Sequence, residues 1–292
     1  MQYEGTTYRP PPEADTPLLQ VTVGCAHNRC TFCNMYRDVN FRVISMDRVE
    51  NDLKEIHYIF NRVERFFLVN GDAFVLSVRQ LKQIAEKINK IFPECQTISM
   101  YASIRNIQTK TDAELRELKD LGINDLYIGV ESGSDTVLSN INKGNTVAEA
   151  KIALQRITEA GIDHISNVIL GAAGANKGLE NAEATAAFIN ETQPKMIWMG
   201  SLAVFKGTEL YNEIQSGLFK QATEMEILQE EQAFIQQLKL ENVRILGQHP
   251  TNTIPIGGVL PGDKQKMIQM IDEGIKQMSK AQLLTVFNRA IM

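Results

Sequence analysis

Short apolar runs alternate along the chain with longer stretches in which apolar residues recur at helical spacing. The apolar runs are closed by glycine or small polar residues and occupy positions 18–24, 65–72, 97–104, 125–133, 164–171 and 195–205. The stretches between them predict helices over 46–60, 77–91, 111–121, 146–160 and 179–192. Because strands joined through helices run parallel, the pattern predicts a parallel α/β sheet.

Threonine and glycine mark the ends of several predicted helices. The segments 111–114 and 146–149 both read Thr-x-x-Glu, the capping box in which a hydroxyl and a carboxylate satisfy free N–H groups of the first turn. Gly122 and Gly161 follow two of the helices, where glycine takes the left-handed conformation that ends a helix. These signals place helix ends directly before strands, as in repeated βα units.

Six strand–helix units in series predict one core over 18–207, either doubly wound or curled into a barrel. The unusual polar residues fall at the carboxyl ends of the strands, which favours a barrel-like core with one active face. We expect 1–17, with its three consecutive prolines, to be an N-terminal surface segment, and 208–292 to be a helical extension or lid of the same structural unit. The helices predicted after residue 207 cover 208–217, 224–240 and 263–280, with a Pro/Gly-containing loop between the last two.

Composition excludes several classes of protein. Of the 292 residues 43% are hydrophobic and 22% charged, which is typical of a globular chain. The net charge of −5 gives no overall basic field for nucleic acid, so a nucleic-acid partner is not expected. No apolar run is long enough for a membrane span, and the N-terminus lacks the layout of a signal peptide. We therefore expect a soluble, cytoplasmic protein without a membrane partner.

Three of the four cysteines lie within nine residues, as Cys25, Cys30 and Cys33 with the spacing C-x4-C-x2-C. Thiolates so close together favour an iron–sulfur cluster or zinc, and buried, inert thiols are the remaining alternative. Three ligands on a four-iron cluster would leave one iron open for a small molecule. Zinc would need a fourth ligand, for which His27 and Cys95 are the candidates. Otherwise we expect Cys95 to be a partly buried structural thiol.

With this cysteine motif and the stretch Gly-Val-Glu-Ser-Gly at 129–133, the chain resembles radical S-adenosylmethionine (SAM) enzymes. The resemblance covers about residues 15–260. It points to the branch with oxygen-independent coproporphyrinogen oxidase, Elp3 and the methylthiotransferases, and within it to short bacterial proteins with a C-x4-C-x2-C motif. The more common spacing is C-x3-C-x2-C, so the loop has one additional residue. The resemblance implies a partial (β/α)6 TIM-like barrel with a C-terminal helical extension.

The resemblance also assigns roles to the residues at the strand ends. It implies that the three cysteines hold a 4Fe-4S cluster whose fourth iron binds SAM. Glu131 would hydrogen-bond SAM, and Lys143 would pair with its carboxylate or be a solvated lysine. Asn167 would bind the ribose or pair with backbone, and Ile169 would pack against adenine. The other residues predicted to bind the cofactor are Phe32, Asn70, Gly71, Asp72, Ser103 and Val204.

Candidates for handling a substrate rest on weaker signals. His249 lies in a late loop in which a solvated histidine is the alternative. The remaining candidates are Tyr36, Arg42, Arg105 and Asn252. Thr208 is expected to cap a helix. The apolar stripe that begins at Met267 has helical spacing and is expected to pack.

These residues predict a radical SAM enzyme that cleaves SAM reductively and abstracts hydrogen from a substrate of small-molecule or cofactor size. An electron donor such as flavodoxin or ferredoxin is the implied partner. With no further cysteine cluster or RNA-binding module in the sequence, sulfur insertion is not expected. One alternative is a zinc-stabilised, non-catalytic binding protein on a barrel scaffold. The other is an iron–sulfur electron carrier, which would not require Glu131, Asn167 and Asp72 at one sheet edge.

Overall fold

A computed structural model describes residues 2–290, which form two compact units. The first unit contains residues 2–28, Met35–Ile128 and Ile152–His164. The second unit contains Arg29–Asn34, Gly129–Lys151 and residues 165–290. No helix within residues 2–290 has the length and apolar character needed to cross a membrane.

The order of elements follows the predicted alternation. The strands are β1 (Leu18–Gln20), β2 (Thr22–Val23), β3 (Arg42–Val43), β4 (Arg65–Val69), β5 (Thr97–Ala102), β6 (Ile123–Glu131), β7 (His164–Leu170), β8 (Met196–Ser201), β9 (Val243–Gly247) and β10 (Ile256–Leu260). The α-helices are α1 (Met46–Ile59), α2 (Val78–Ile91), α3 (Ile104–Gln108), α4 (Asp112–Asp120), α5 (Asp135–Asn140), α6 (Val147–Glu159), α7 (Gly178–Thr192), α8 (Glu209–Gln215), α9 (Glu224–Gln237), α10 (Lys264–Gln277) and α11 (Lys280–Leu283). Single 3-10 turns occupy Pro11–Glu13 and Ala73–Val75.

In the first unit β1, β4, β5 and β6 are neighbours in that order, and every pairing is parallel. Phe66, Phe67 and Leu68 of β4 are all at most 1% exposed. Burial of consecutive residues means that both faces of this strand are covered, as its apolar sequence predicts. The prediction of a parallel α/β sheet is confirmed. A short antiparallel ladder of β2 and β3 flanks the cysteine loop.

In the second unit β7, β8 and β9 are parallel neighbours, and β10 pairs antiparallel with β9. Asn167 lies opposite Trp198, and Ile169 lies opposite Gly200. These four residues are half-buried, whereas the residues that alternate with them on β7 and β8 are buried. One face of this sheet is therefore open enough to receive a ligand.

The ends of the five helices predicted between residues 46 and 192 are accurate to one residue, whereas the helices predicted over 224–240 and 263–280 end three residues earlier, at Gln237 and Gln277. Thr111 and Thr146 accept the N–H of the glutamate three residues on, and each glutamate carboxylate accepts the threonine N–H. Gly122 and Gly161 have φ of 91° and 80°. Thr208 caps α8 by accepting the N–H of Tyr211.

The prediction of a loop between the last two helices is wrong, because this part of the chain contains β9 and β10. The sequence of β10 includes Gly257 and Gly258, which weaken any strand signal. The five-residue β9 carries an exposed Arg244. Both strands are held by ladders to neighbours distant in sequence. The region after 207 is therefore not only helical.

The N-terminal segment is largely exposed but carries one fully buried carboxylate, that of Glu13. Its oxygens accept hydrogen bonds from Arg65 Nε (2.9 Å), Ser99 Oγ (3.1 Å) and Tyr127 OH (2.9 Å). Arg65 also donates to Asp125, at 2.6 Å. A predicted surface segment thus places a charged group among β4, β5 and β6 of the first unit.

Candidate functional site

The cysteine loop begins at a position that requires glycine. Gly24 has φ of +77°, and a Cβ there would lie 3.3 Å from the carbonyl oxygen of Val39. The chain therefore turns sharply just before Cys25, which is half-buried. Asn28 donates from Nδ2 to the carbonyl oxygen of Tyr36 at 2.7 Å, which holds the outgoing side of the loop in the first unit.

The second half of the loop belongs to the second unit. Cys33 donates its N–H to the carbonyl oxygen of Cys30 at 3.3 Å, so these two cysteines share one turn. The intervening Thr31 donates its N–H to Ile141 and accepts the N–H of Leu210, both at 3.0 Å. These bonds fix the turn to α5 and α8. Phe32 is half-buried beside Cys33.

All three motif cysteines are half-buried and none forms a disulfide. Cys95 lies in the first unit, and burial raises the pKa of its thiol to about 11. A thiol with so high a pKa stays protonated and unreactive. Cys95 is half-buried and donates to the carbonyl oxygen of Thr97, as expected for a partly buried structural thiol.

Asn70 follows β4 and is 1% exposed. Its N–H donates to Thr22 Oγ1 at 3.2 Å, but the side-chain oxygen and nitrogen have no hydrogen-bond partner among the described residues. A buried amide left unsatisfied costs about 1–3 kcal/mol. A polar ligand group at the end of β4 would remove this cost, so the amide fits the predicted SAM-binding role.

Gly71 is required by its contact with Tyr36. A Cβ on Gly71 would lie 2.3 Å from Cε2 of the tyrosine ring. Tyr36 is buried and also meets the ring of Tyr8 edge-on, with centroids 5.5 Å apart. The tyrosine therefore packs on the backbone of the strand end.

Asp72 is buried and accepts a hydrogen bond from Asn106 Nδ2. The helix of Asn106 is capped by Ser103, a predicted cofactor residue, whose Oγ accepts the Asn106 N–H at 3.3 Å. Lys110 is also buried and donates to the carbonyl oxygens of Phe74 (2.8 Å) and Asn106 (3.1 Å). Burial lowers the pKa of Lys110 to about 8. Asn106 and Lys110 were not among the predicted site residues. They lie four residues apart after the capping Ser103, and this spacing indicates that they share one face of a helical turn.

In the second unit the structure brings Glu131 and Lys143 together. Lys143 Nζ lies 2.7 Å from Glu131 Oε1, and the side chains are 15% and 7% exposed. A Cβ on Gly129 would lie 2.2 Å from that oxygen and 2.5 Å from the nitrogen, so a larger residue would require the two charged ends to move. Charged groups this buried must be paired or bind a ligand.

Asn167 and Ile169 lie on the half-buried face of β7, opposite Trp198 and Gly200 of β8. Val204, just beyond β8, is also half-buried. Trp198 was not predicted, and the signal that could have identified it is its two-residue periodicity with Gly200.

The substrate candidates have different environments. Arg42 is 52% exposed and forms an ion pair with Glu4, and Arg105 is exposed. His249 is half-buried, with its ring centroid 5.7 Å from that of Trp198. Asn252 is buried and donates to the carbonyl oxygens of Met199 and Gly247.

The chemistry of these donors fits the groups that the resemblance implies. Three half-buried thiols on one loop suit an iron–sulfur cluster. In the first unit the orphaned Asn70 amide suits a polar ligand group. In the second unit the Glu131–Lys143 pair offers both signs of charge and suits a charged ligand group.

The sequence profile of the Radical SAM superfamily matches residues 19–188 of this chain. An uncharacterized methyltransferase of Pyrococcus horikoshii is 27% identical over 196 residues, which cover 66% of this chain and 41% of that protein. The heme chaperone HemW of Bacillus subtilis is 27% identical over 157 residues, which cover 53% of this chain and 41% of that protein. The chain thus spans about two fifths of the length of these relatives.

Solved structures share the fold at low sequence identity. The radical SAM methyltransferase TsrM from Kitasatospora setae aligns with a TM-score of 0.57 and 15% identity, covering 69% of this chain and 39% of that one. Coproporphyrinogen III oxidase from Escherichia coli aligns with a TM-score of 0.55 and 18% identity, covering 76% and 52%. The α/β fold of this chain is therefore the TIM-like partial-barrel type.

Proposed function

Because the chain belongs to the radical SAM superfamily, with a 4Fe-4S cluster and SAM as its cofactors, we propose that it uses them to abstract hydrogen from a small-molecule or cofactor-sized substrate. When bound, the two cofactors supply one-electron cleavage of SAM and a 5′-deoxyadenosyl radical. The protein's part is to hold SAM and to exclude water and oxygen. A small electron-transfer protein such as flavodoxin or ferredoxin is the proposed donor.

The side chains divide the binding of these groups among them. Cys25, Cys30 and Cys33 would ligate the cluster through three thiolates. In the first unit Asn70 would hydrogen-bond the amino acid end of SAM, and the bond from Asn106 would keep the carboxylate of Asp72 fixed beside it. Both polar side chains that follow β4, Asn70 and Asp72, thus have a proposed role in binding SAM.

In the second unit the ion pair between Glu131 and Lys143 would weaken as the two side chains form contacts with SAM. The ammonium of Lys143 can pair with a carboxylate while it remains within hydrogen-bond distance of Glu131. Asn167 would bind the ribose, and Ile169 and Val204 would pack against the nucleoside. Phe32, next to Cys33, would help hold the adenine.

The observation that carries the proposal is the buried, unpartnered amide of Asn70. A zinc-braced binding protein has no use for such a group, since it destabilises the fold without a ligand. The names of the relatives differ, one being an uncharacterized methyltransferase and the other a heme chaperone. The proposal therefore stops at the reaction type.

The proposal is tested on protein purified and reconstituted without oxygen. We expect about four irons and four sulfides per chain, and conversion of SAM to 5′-deoxyadenosine and methionine after reduction with dithionite. Metal content is measured by elemental analysis and the products by mass spectrometry. Stoichiometric zinc, colourless protein and intact SAM would overturn the proposal and favour the zinc-stabilised binding protein.

Asn70→Leu should have opposite effects on stability and on cofactor binding. Replacing an unsatisfied buried amide by an apolar side chain of similar size should raise the free energy of unfolding by about 1 kcal/mol. The same change should weaken SAM binding by about tenfold or more, since a hydrogen bond to a charged ligand group is lost. Urea denaturation of SAM-free protein and equilibrium dialysis with SAM measure the two effects.

Asn89→Leu is the matched control for this experiment. Asn89 also has a buried side-chain oxygen that finds no partner within residues 2–290, but it lies on α2 and its Nδ2 donates to the carbonyl oxygen of Leu121. SAM affinity should not change in this variant. Unchanged SAM affinity in Asn70→Leu would contradict the role given to Asn70.

A further inference from the structure

The backbone turns sharply at Glu131, the last residue of β6. Glu131 has φ of +62°, and the N–H of Ser132 donates to the carbonyl oxygen of Val130 at 2.8 Å, which closes a three-residue γ-turn. A residue with a Cβ adopts this backbone at a cost in free energy, and only where the surrounding structure holds it. Glu131 also forms the buried ion pair with Lys143. The turn therefore sets the direction of a carboxylate that the proposed function assigns to SAM binding.

The residues that follow the turn are held against α7. The N–H of Gly133 donates to Thr185 Oγ1 at 2.9 Å. A Cβ on Gly133 would lie 2.3 Å from the carbonyl oxygen of Ala184, so no larger residue fits here unless the helix moves. Ser134 donates its N–H to Ser132 Oγ at 3.0 Å. These contacts fix the backbone directly after the strained turn.

Buried side chains connect this segment with α9. Ser132 Oγ donates to Asn181 Oδ1 at 2.5 Å, and Asn181 Nδ2 donates to Glu230 Oε1 at 2.7 Å. All three residues are at most 3% exposed. The other carboxylate oxygen of Glu230 accepts the N–H of Gly171, which follows β7, at 2.8 Å. Ser132, Asn181 and Glu230, which we call the polar chain, thus join the ends of β6 and β7 to α7 and α9.

Glu230 determines the direction of the hydrogen bonds in the polar chain. A carboxylate accepts hydrogen bonds but cannot donate them, so Asn181 must turn its Nδ2 toward Glu230 and its Oδ1 toward Ser132. The hydroxyl proton of Ser132 then points to Asn181, which leaves the lone pairs of Oγ for the N–H of Ser134. A carboxylate on α9 therefore specifies the geometry of the segment next to Glu131.

The side chain of Glu230 is packed closely against α7. A Cβ on Gly178 would lie 3.1 Å from both Cβ and Oε2 of Glu230, so the glycine allows the two helices to approach. Burial raises the pKa of Glu230 to about 7, while the bonds from Asn181 and Gly171 favour the carboxylate. At pH 8 the carboxylate predominates, and the polar chain has the direction described above.

We propose that Glu230 is a positioning residue, which acts through Asn181 and Ser132 to hold the strained turn at Glu131 and so keeps the Glu131 carboxylate in position for Lys143 and SAM. The inference rests on the proposed function, because that function makes Glu131 a SAM-binding residue. It adds a residue of α9 to the site, although α9 carries none of the groups proposed to contact SAM. Without this hold we expect the turn to relax and Glu131 to leave its position.

Amide hydrogen exchange tests the hold on the turn without any cofactor. At pH 8 the peptide that covers residues 129–134 should exchange at least about tenfold faster in Glu230→Leu than in the wild type, as measured by mass spectrometry. Glu231→Leu is the matched control, because Glu231 is the next residue of α9, is also 1% exposed and lies outside the polar chain. Its exchange should stay within about twofold of the wild type. Equal exchange of Glu230→Leu and the wild type would overturn the proposal.

The consequence for SAM is measured by equilibrium dialysis with the reconstituted protein. Glu230→Leu should bind SAM about tenfold more weakly, which corresponds to about 1.4 kcal/mol of strain released when the turn relaxes. Glu230→Gln should stay within about threefold of the wild type, because its amide can accept from Gly171 and donate to Asn181 once the Asn181 amide turns over. A residue that only stabilised the fold would not change the SAM affinity of folded protein. Unchanged affinity in Glu230→Leu, or an equal loss in Glu230→Gln, would therefore contradict the positioning role.

Ser132→Ala tests the polar chain from its other end, and it does so even if Glu230→Leu fails to fold. It removes the hydroxyl that contacts Asn181 and Ser134, and it should also weaken SAM binding about tenfold. Because the two residues act through one chain, the double variant should bind SAM less than about twofold more weakly than either single variant. Unchanged affinity in Ser132→Ala, or losses that add to about 100-fold, would overturn the proposal.

The two measurements separate this proposal from the proposed function. If the wild type binds and cleaves SAM but Glu230→Leu behaves like Glu231→Leu, the role of Glu230 fails and the proposed function stands. If the reconstituted wild type binds no SAM while exchange at 129–134 responds to Glu230→Leu, the proposed function fails, and the exchange still supports the hold of Glu230 on the turn.

Discussion

Cys30→Ala is expected to lose the cluster and to stop SAM cleavage. The residue shares one turn with Cys33 through the 3.3 Å N–H to carbonyl bond, and this turn is fixed by Thr31 on both sides. Removal of the thiolate should therefore leave the loop in place but without one of its ligands. Loss of groups that only orient metal ligands costs 10–100-fold, so loss of a ligand should reduce the rate by more than about 100-fold.

The measurement combines iron and sulfide content, the visible absorption of the cluster and the yield of 5′-deoxyadenosine. Cys95→Ala is the control, because that thiol is protonated, with a pKa of about 11, and donates to the carbonyl oxygen of Thr97. It should retain the iron and the activity of the wild type. Full iron content in Cys30→Ala would contradict the proposed ligand set. Loss of zinc from Cys95→Ala would instead support the zinc-stabilised alternative.

Glu13→Gln is expected to lower the free energy of unfolding by about 3 kcal/mol. Glu13 is fully buried, and its carboxylate accepts bonds from Arg65, Ser99 and Tyr127. Without the negative charge, the guanidinium of Arg65 keeps only Asp125 as an ionic partner. The effect should appear as a lower midpoint in urea, with the slope of the transition unchanged.

Glu64→Gln is the matched control for Glu13→Gln. Glu64 pairs with Arg62 at 2.5 Å, but both side chains are more than half exposed. An exposed pair contributes about 0–1 kcal/mol, so this variant should unfold close to the wild type. Equal destabilisation by both substitutions would mean that the burial of Glu13 does not increase its contribution to the free energy of unfolding.

The contribution of Glu13 should also depend on pH. Burial opposes ionisation, but hydrogen bonds from Arg65 and Thr16 outweigh it, and the pKa of Glu13 lies below its usual value. A carboxyl whose pKa is lower in the folded state stabilises the fold above its unfolded pKa. The stabilisation is lost as the pH falls through the folded pKa. The difference between wild type and Glu13→Gln should therefore shrink in acid.

The sequence by itself determined the parallel α/β class, the ends of the helices and the identity of the cysteine motif. These features are local. A strand covered on both faces needs a continuous apolar run, a helix end needs Thr-x-x-Glu or glycine, and three ligands on one loop need only a few residues of spacing. The structure confirms the five helices predicted between residues 46 and 192, as α1, α2, α4, α6 and α7, whereas the short helices α3 and α5 were not predicted.

Only the tertiary structure revealed the features that depend on contacts between residues distant in sequence. The strands β9 and β10 exist because β8 and β9 offer them ladders, although Gly257 and Gly258 give no strand signal. The burial of Glu13 depends on Arg65, 52 residues away. The position of the loop at 249–252 depends on bonds that join Asn252 to Met199 and Ser201 to Thr251. Hydrogen bonds between residues remote in sequence leave no periodic pattern, so only the folded chain could reveal these three features.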